Sequence, residues 1–333
     1  MADVERLRRT AMPFGSAEDV CVTDPARPMC HCATVAALPV AAAEEERLVA
    51  AWYAGSAECR PDVALFAATW TLRQGWSAPR LLVDTPGRAE GNAVLGVSPG
   101  GVLWLVFATL TGCGWRSARL RRTWSVDGGE TWAAAEDLPG APVGWLVRNK
   151  PVAHGSRWLL PVYDEIAWEG FVLASDDDGR TWSAGGRMRA PQGCIQPTLL
   201  PAPDGALAAL LRCGGEGGPL WQSRSGDGGA TWTPGVPAGL HNPNSGCDGV
   251  PRADGAWLLA CNDRPLPVGR GELALRVSRD GGATWPTRGV VASGAGEYSY
   301  PALIPAADGG LHLLYTHERT RIRHLRIRPG WPA

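Results

Sequence analysis

Apolar residues along this chain come in short runs set between small turns. Three runs follow an Asp-Gly pair: Asp204-Gly205 leads into an apolar stretch ending at Leu211, Asp254-Gly255 into one ending at Ala260, and Asp308-Gly309 into one ending at Leu314. Related runs surround residues 48–53, 103–107 and 158–162, which makes six copies. Runs this short, rich in β-formers and bounded by Gly, Pro and Asp, read as strands rather than helices.

A second pattern interleaves with the first. Ser-x-Asp-x-Gly-x-Thr-Trp occurs at 125–132, 175–182, 225–232 and 278–285, at spacings of 50, 50 and 53 residues, and Gln74-Gly75-Trp76 is a degenerate copy. Its residue types suit a hairpin turn: the Asp accepts local N–H groups, the Gly takes a positive φ, and the Trp packs between sheets. One or two carboxylates in eight residues do not supply the roughly six or more oxygens that calcium takes. About four short strands per unit of some 50 residues is a propeller blade. The expectation is therefore an all-β, six-bladed β-propeller over 28–330, preceded by an N-terminal extension at 1–27, with a last blade that joins C-terminal strands to one from the N-terminus.

Composition narrows the partners. The chain has 333 residues, is 45% hydrophobic and 20% charged, and carries a formal net charge of −1, enough to bury a sizeable core. No run of five or more like charges appears, so neither nucleic acid nor an anionic membrane surface is an expected partner. No stretch reaches the roughly 18 apolar residues of a membrane span. Met1 to Gly15 carries Arg6, Arg8 and Arg9 but no apolar secretory core, so the expected location is cytoplasmic.

The four turns resemble the Asp-boxes, or BNR repeats, of the sialidase (neuraminidase) superfamily. Arg148-Asn149-Lys150-Pro151, Gln196-Pro197, Asn242-Pro243-Asn244-Ser245-Gly246 and Glu297-Tyr298-Ser299-Tyr300-Pro301 are similar to phrases of its bacterial sialidase-like subgroup. The resemblance runs from about residue 28 to 328.

In such a fold the ends of the inner strands converge on a central funnel. Strand starts place there His31, Glu90, Asn92, Arg148, Lys150, Gln196, Asn244, Asp248, Tyr298 and Tyr300. Strand ends add Glu58, Asp164, Glu165, Arg212, Asn262, Asp263 and Arg319. Sialidase-like hydrolysis needs an acid, a nucleophile that tolerates the substrate's carboxylate, and arginines that hold this carboxylate. The resemblance implies Tyr298 as nucleophile, Asp62 as acid, and Arg212 and Arg270 as carboxylate ligands. Lys150, Arg148, Asn244, Tyr300, Arg319 and His31 complete the expected substrate-binding set. The alternative reading of the same residues is structural: Arg270 pairs with a neighbouring blade, Asp62 caps a turn, and Tyr298 is a core aromatic.

The sequence departs from the family at two places. Cys30-His31-Cys32-Ala33-Thr34 stands where Arg-Ile-Pro is expected, and Gln196 stands where a glutamate should polarise the tyrosine. An amide cannot take a proton, and a tyrosine with an ordinary pKa of about 10 is a weak nucleophile. Glu297 or Asp248 could stand in for the glutamate, or Asp62 and Glu165 could activate water in an inverting reaction. The expected function is an exo-glycoside hydrolase on an acidic or unusual sugar. A lyase or isomerase of a small metabolite and a non-catalytic carbohydrate-binding propeller remain the alternatives.

Seven of the nine cysteines, 30, 32, 59, 194, 213, 247 and 261, fall near predicted inner-strand ends and could ring the funnel. Cys-x-Cys lacks the spacer of common zinc sites, so no metal or other cofactor is expected.

Overall fold

A computed structural model of the chain describes residues 10–12, 15–39, 45–202 and 204–331. The fold is all-β, as the sequence pattern predicts, and its strands form consecutive antiparallel meanders. The first runs through Met29–Ala37, Arg47–Gly55, Ala64–Thr71 and Arg80–Val83, and the second through Glu90–Val97, Leu103–Leu110, Ala118–Ser125 and Glu136–Asp137. Next, Trp145–Val147 and Val152–His154 both pair with Arg157–Asp164, which pairs with Glu169–Ser175. One parallel bridge, Glu169 to Cys194, joins this meander to the following one, Cys194–Pro201, Leu207–Cys213, Gly218–Ser225 and Val236–Asn242. Asp248–Pro251, Trp257–Cys261, Glu272–Ser278 and Thr287–Ser293 come after it. The last sheet takes Tyr298–Pro305, Leu311–His317 and Arg321–Ile327, then Gly15–Val22 from the other end of the chain. Residues 15–22 of the expected N-terminal extension are thus a strand of a sheet; residues 1–9, 13 and 14 lie outside the described residues.

The six apolar runs are the second strands of these meanders, buried on both faces by neighbouring sheets. The first strands adjoin one another along the sequence, and Tyr298–Pro305 of the last sheet packs against Met29–Ala37 of the first. At that seam Trp70 donates to Glu18 (2.7 Å), and a relay of ring nitrogens runs from Trp76 through His324 and His312 to Glu46.

The four Ser-x-Asp-x-Gly-x-Thr-Trp turns are near-identical. In each, the Ser hydroxyl donates to the Asp carboxylate and accepts from the Gly N–H, while the Asp accepts from the Thr N–H at 2.8–2.9 Å. The glycines sit at φ 86–89°, where a Cβ is disfavoured. These hydrogen bonds to the charged form hold Asp177, Asp227 and Asp280 at about 2 and Asp127 lower still.

One further device positions the site. In four first strands the register slips, so that two residues oppose one: Cys32-Ala33 faces Trp52, Asn92-Ala93 faces Phe107, Gln196-Pro197 faces Leu211, and Tyr300-Pro301 faces Tyr315. The leading residue of each bulge has a positive φ, 58°, 42°, 55° and 51° in turn. A bulge of this kind bends the strand and re-aims its side chains, at some cost for a non-glycine residue. Three of the four leading residues point into one cavity.

Candidate functional site

That cavity is lined by Asn92, Gln196 and Tyr300 from the bulges, by Glu58, Tyr163, Glu165, Arg212 and Arg319 from strand ends and turns, and by Trp115, Ile195 and Arg270. Tyr300 sits among cations. Its hydroxyl accepts a hydrogen bond from Arg212 Nη1 (3.0 Å), and the guanidinium carbons of Arg148 and Arg270 lie 5.3 and 5.2 Å from its ring centroid. Asn244, itself at φ 54°, holds two of these arginines from behind: its side-chain oxygen accepts from Arg212 Nε (2.6 Å) and its carbonyl from Arg270 Nη2 (2.6 Å).

Beside Tyr300 runs a chain of alternating charges. Glu297 accepts from Arg270 (3.2 Å), Arg319 (2.8 Å) and the Ser299 hydroxyl; Arg319 also donates to Glu58 (2.7 Å), which accepts from the Tyr53 hydroxyl (3.1 Å). Burial works against the charge of Glu297, yet His31 and the hydrogen bonds from Arg319 and Ser299 hold its carboxyl at about 2. Arg319 and Arg270 therefore come with their counter-charge built in. Arg212 has no carboxylate partner among the described residues. Glu165 is the reverse case: burial raises its carboxyl above the ordinary range, only partly opposed by Arg212 and Arg116.

The floor is neutral. Tyr163, fully buried, accepts from Asn92 Nδ2 (2.8 Å) and Gln196 Nε2 (3.4 Å), and burial pushes its phenol well above the usual value. Below Tyr300, at 4.5 Å between ring centroids, lies His31, wholly buried; burial and then the charge of Arg319 hold it well below the usual histidine value. Neither of its ring nitrogens has a partner among the described residues, and Gln196 Oε1 is likewise unpartnered.

The structure thus brings together Gln196, Glu165, Arg212, Arg270, Tyr300 and Arg319, with Glu58 and Asn92. It sets other expected site residues elsewhere. Tyr298 stands two positions before the bulge, 6% exposed, with its hydroxyl on Glu318 (3.0 Å) and its ring against His317; the bulge re-aims Tyr300 instead. Asp62 is exposed and accepts from the Ser56 N–H and hydroxyl (both 2.8 Å), the cap of its own loop.

Lys150 is a structural bolt. Its Nζ contacts both oxygens of buried Asp248 (2.7 and 2.9 Å) and the Gly249 carbonyl, and Asp248 also accepts from Thr198 and from the Leu303 N–H. Four meanders meet there. Arg148, 2% exposed, donates to the Pro301 carbonyl beneath Tyr300, while Asn244 and His31 support the lining residues rather than join them. Glu90 is buried and bonded to Thr109, and Asp263 is paired with Arg276 and Arg288.

The cysteines do not ring the cavity. Cys30 packs with Cys21, Cys194 with Cys213, and Cys247 with Cys261, in three separate cores; Cys32 alone of the buried ones reaches the site, on Asn92 (3.5 Å). Among the described residues no group of three or more His, Cys, Asp or Glu side chains could hold a metal ion, and no helix is long and apolar enough to cross a membrane.

Sequence reasoning missed Trp115 and Tyr163. Tyr163 ends the apolar run around 158–162, next to Asp164-Glu165. Trp115 carried a signal in Gly91, where a Cβ would stand 2.5 Å from the Trp115 ring.

Residues 46–313 match the family model described as a BNR repeat-like domain. A sialidase of Micromonospora viridifaciens is 27% identical over 230 residues, 62% of this chain and 35% of the relative, so the chain spans about a third of that protein. Among solved structures, a Hadza microbial sialidase superposes with a TM-score of 0.78 at 18% identity, over 94% of this chain and 68% of that one. A protein of unknown function from Dyadobacter fermentans gives 0.77 at 17% identity, over 95% and 100% of the two chains. A sialidase of Streptococcus pneumoniae gives 0.76 at 11% identity, over 95% and 71%. At these identities the structural likenesses establish the fold.

Proposed function

The chain belongs to the BNR repeat-like family of the sialidase superfamily, and on that premise we propose that it is a glycoside hydrolase acting on an acidic sugar in the cavity around Tyr300. The meanders are read as the six blades of a closed propeller, and the cavity as the mouth of its funnel. The observation that carries the reading is the Arg212–Tyr300 hydrogen bond at the centre of a pocket that also presents Glu58 and Glu165.

Arg212 lines the cavity without a carboxylate partner among the described residues, so it is the natural contact for a substrate carboxylate, with Arg270 near the Tyr300 ring. The remaining arginine charge is shared with Glu297 and Glu58, which suits one anionic group and several hydroxyls better than a polyanion. Tyr300, not Tyr298, holds the place from which an oxygen faces the anomeric carbon. A screen of chromogenic sialosides, uronides and deoxysugars tests the reading: turnover that Tyr300→Phe abolishes supports it, and no turnover of any glycoside by the folded protein overturns it.

A second reading, a carbohydrate-binding propeller without chemistry, draws on Gln196. Its neutral amide oxygen and the Tyr300 ring both border the space beside Gly246, and an amide cannot act as the proton acceptor that would activate the tyrosine hydroxyl. Glycan binding without turnover is its signature.

A further inference from the structure

Glu58 and Glu165 line the cavity, Glu297 is paired with its arginines, and Asp62 is the acid that the sequence suggests; of these four carboxylates three are committed. Asp62 caps its own loop through Ser56 and does not line the cavity. Glu58 accepts from Tyr53 and Arg319, and Glu297 is shared by Arg270, Arg319 and Ser299. Hydrogen bonds lower the carboxyls of Asp62 and Glu297, and both oxygens of Glu58 are taken up by Tyr53 and Arg319.

Glu165 differs on each count. It lines the cavity, and its carboxylate has no hydrogen bond or ion pair among the described residues. The turn that carries it is fixed by other atoms. Asp164 Oδ1 accepts from the N–H groups of Ile166 (2.9 Å) and Ala167 (3.0 Å), the Trp168 N–H bonds the Asp164 carbonyl (2.8 Å), and the Glu165 N–H bonds the Gly144 carbonyl (2.9 Å). Trp168 closes the turn at φ 56°, a strained value for a bulky residue. The backbone is thus locked while the side chain is left unengaged at the cavity wall. Arg212, Arg116, Asp164, Tyr163 and Cys59 are the charged and titratable groups that interact with it, and burial, the largest effect, raises its carboxyl against the pull of the two arginines.

Resting on the hydrolase reading above, we propose that Glu165 is the proton donor of the reaction, a further catalytic residue set on the turn between Arg157–Asp164 and Glu169–Ser175. As the bond from the anomeric carbon to the leaving oxygen breaks, both electrons go to that oxygen, which takes the Glu165 proton. The positive charge left on the anomeric carbon and its ring oxygen is stabilised by the facing Tyr300 oxygen and met by water, and one proton of that water restores the Glu165 carboxyl. One glycoside and one water give two hydroxyl compounds.

The test compares leaving groups within one enzyme preparation, so a partly misfolded variant lowers both rates alike. Benzyl and para-nitrophenyl glycosides of N-acetylneuraminic acid and of glucuronic acid are the probes. Glu165→Gln is expected to lower kcat/KM on the benzyl glycoside by about 10²–10⁴-fold, and far less on the para-nitrophenyl one, whose leaving group departs without a proton. The basic limb of the pH profile should flatten in the same variant, because the wild type loses its donor as pH rises through the Glu165 pKa. An equal change on both glycosides, or none, overturns the assignment while the hydrolase reading stands, and Glu58→Gln and Asp62→Asn then identify the donor. No wild-type turnover of any probe overturns the reading and the donor with it.

Discussion

Tyr300 accepts a 3.0 Å hydrogen bond from Arg212, a residue 88 positions away in the chain. Arg212 pairs with Ile195, one residue before the bulge at Gln196-Pro197, and Tyr300 itself leads the bulge at Tyr300-Pro301. A register slip thus lies beside each partner of the contact, and the account of the site starts from that pair.

Lys150 and Asp248 tie four meanders together. Removing the lysine leaves a buried carboxylate without its ion partner, so Lys150→Met should destabilise the fold by about 3–5 kcal/mol, read from the urea midpoint. Coupling to Asp248→Asn in a double-mutant cycle should be strong. A ligand-binding lysine would instead leave the midpoint unchanged.

The four turn aspartates make the protein acid-sensitive in a defined window. Their folded-state pKa values, about 2 for Asp177, Asp227 and Asp280, lie below the unfolded value of about 3.9. Their contribution is therefore present above about pH 4 and is lost as pH falls toward about 2. Melting curves across that range should show Tm falling with pH, and replacing all four by Asn should flatten this slope. Equal slopes in variant and wild type would contradict the linkage.

Gly91 seats the Trp115 wall of the cavity. A methyl group there would stand 2.5 Å from the indole, so Gly91→Ala must displace that ring. Overpacking of this kind costs about 1–3 kcal/mol, and the displaced wall should raise KM more than it lowers kcat. Tryptophan fluorescence of the variant reports the movement directly.

How much could be read from the sequence divides along the same line as local and non-local structure. The Ser-x-Asp-x-Gly-x-Thr-Trp turns are closed by bonds that span at most four residues, so their residue types predicted both the geometry and the strands around them. The apolar run ending at Leu211 is a buried strand, legible from its own run of apolar residues after Asp204-Gly205. Site residues obey a different rule. Tyr298-Ser299 matched the expected phrase, but the side chain that enters the cavity is chosen by a register slip one residue later, which pairing and not sequence decides. Lys150 carries the right charge for a ligand, yet its partner Asp248 is 98 residues away and visible only in the folded chain. Glu58 and Glu165 differ in sequence by nothing that marks one as tied to Arg319 and the other as unengaged.

The most direct test of the account sets Tyr300→Phe against Tyr298→Phe on whichever acidic glycoside the wild type hydrolyses. If the bulge defines the site, Tyr300→Phe should lower kcat/KM by at least about 10²-fold with an unchanged melting curve, whereas Tyr298→Phe should keep its rate within a few-fold and lose stability with its bond to Glu318. The reverse pattern, activity lost with Tyr298 and kept without the Tyr300 hydroxyl, would contradict it.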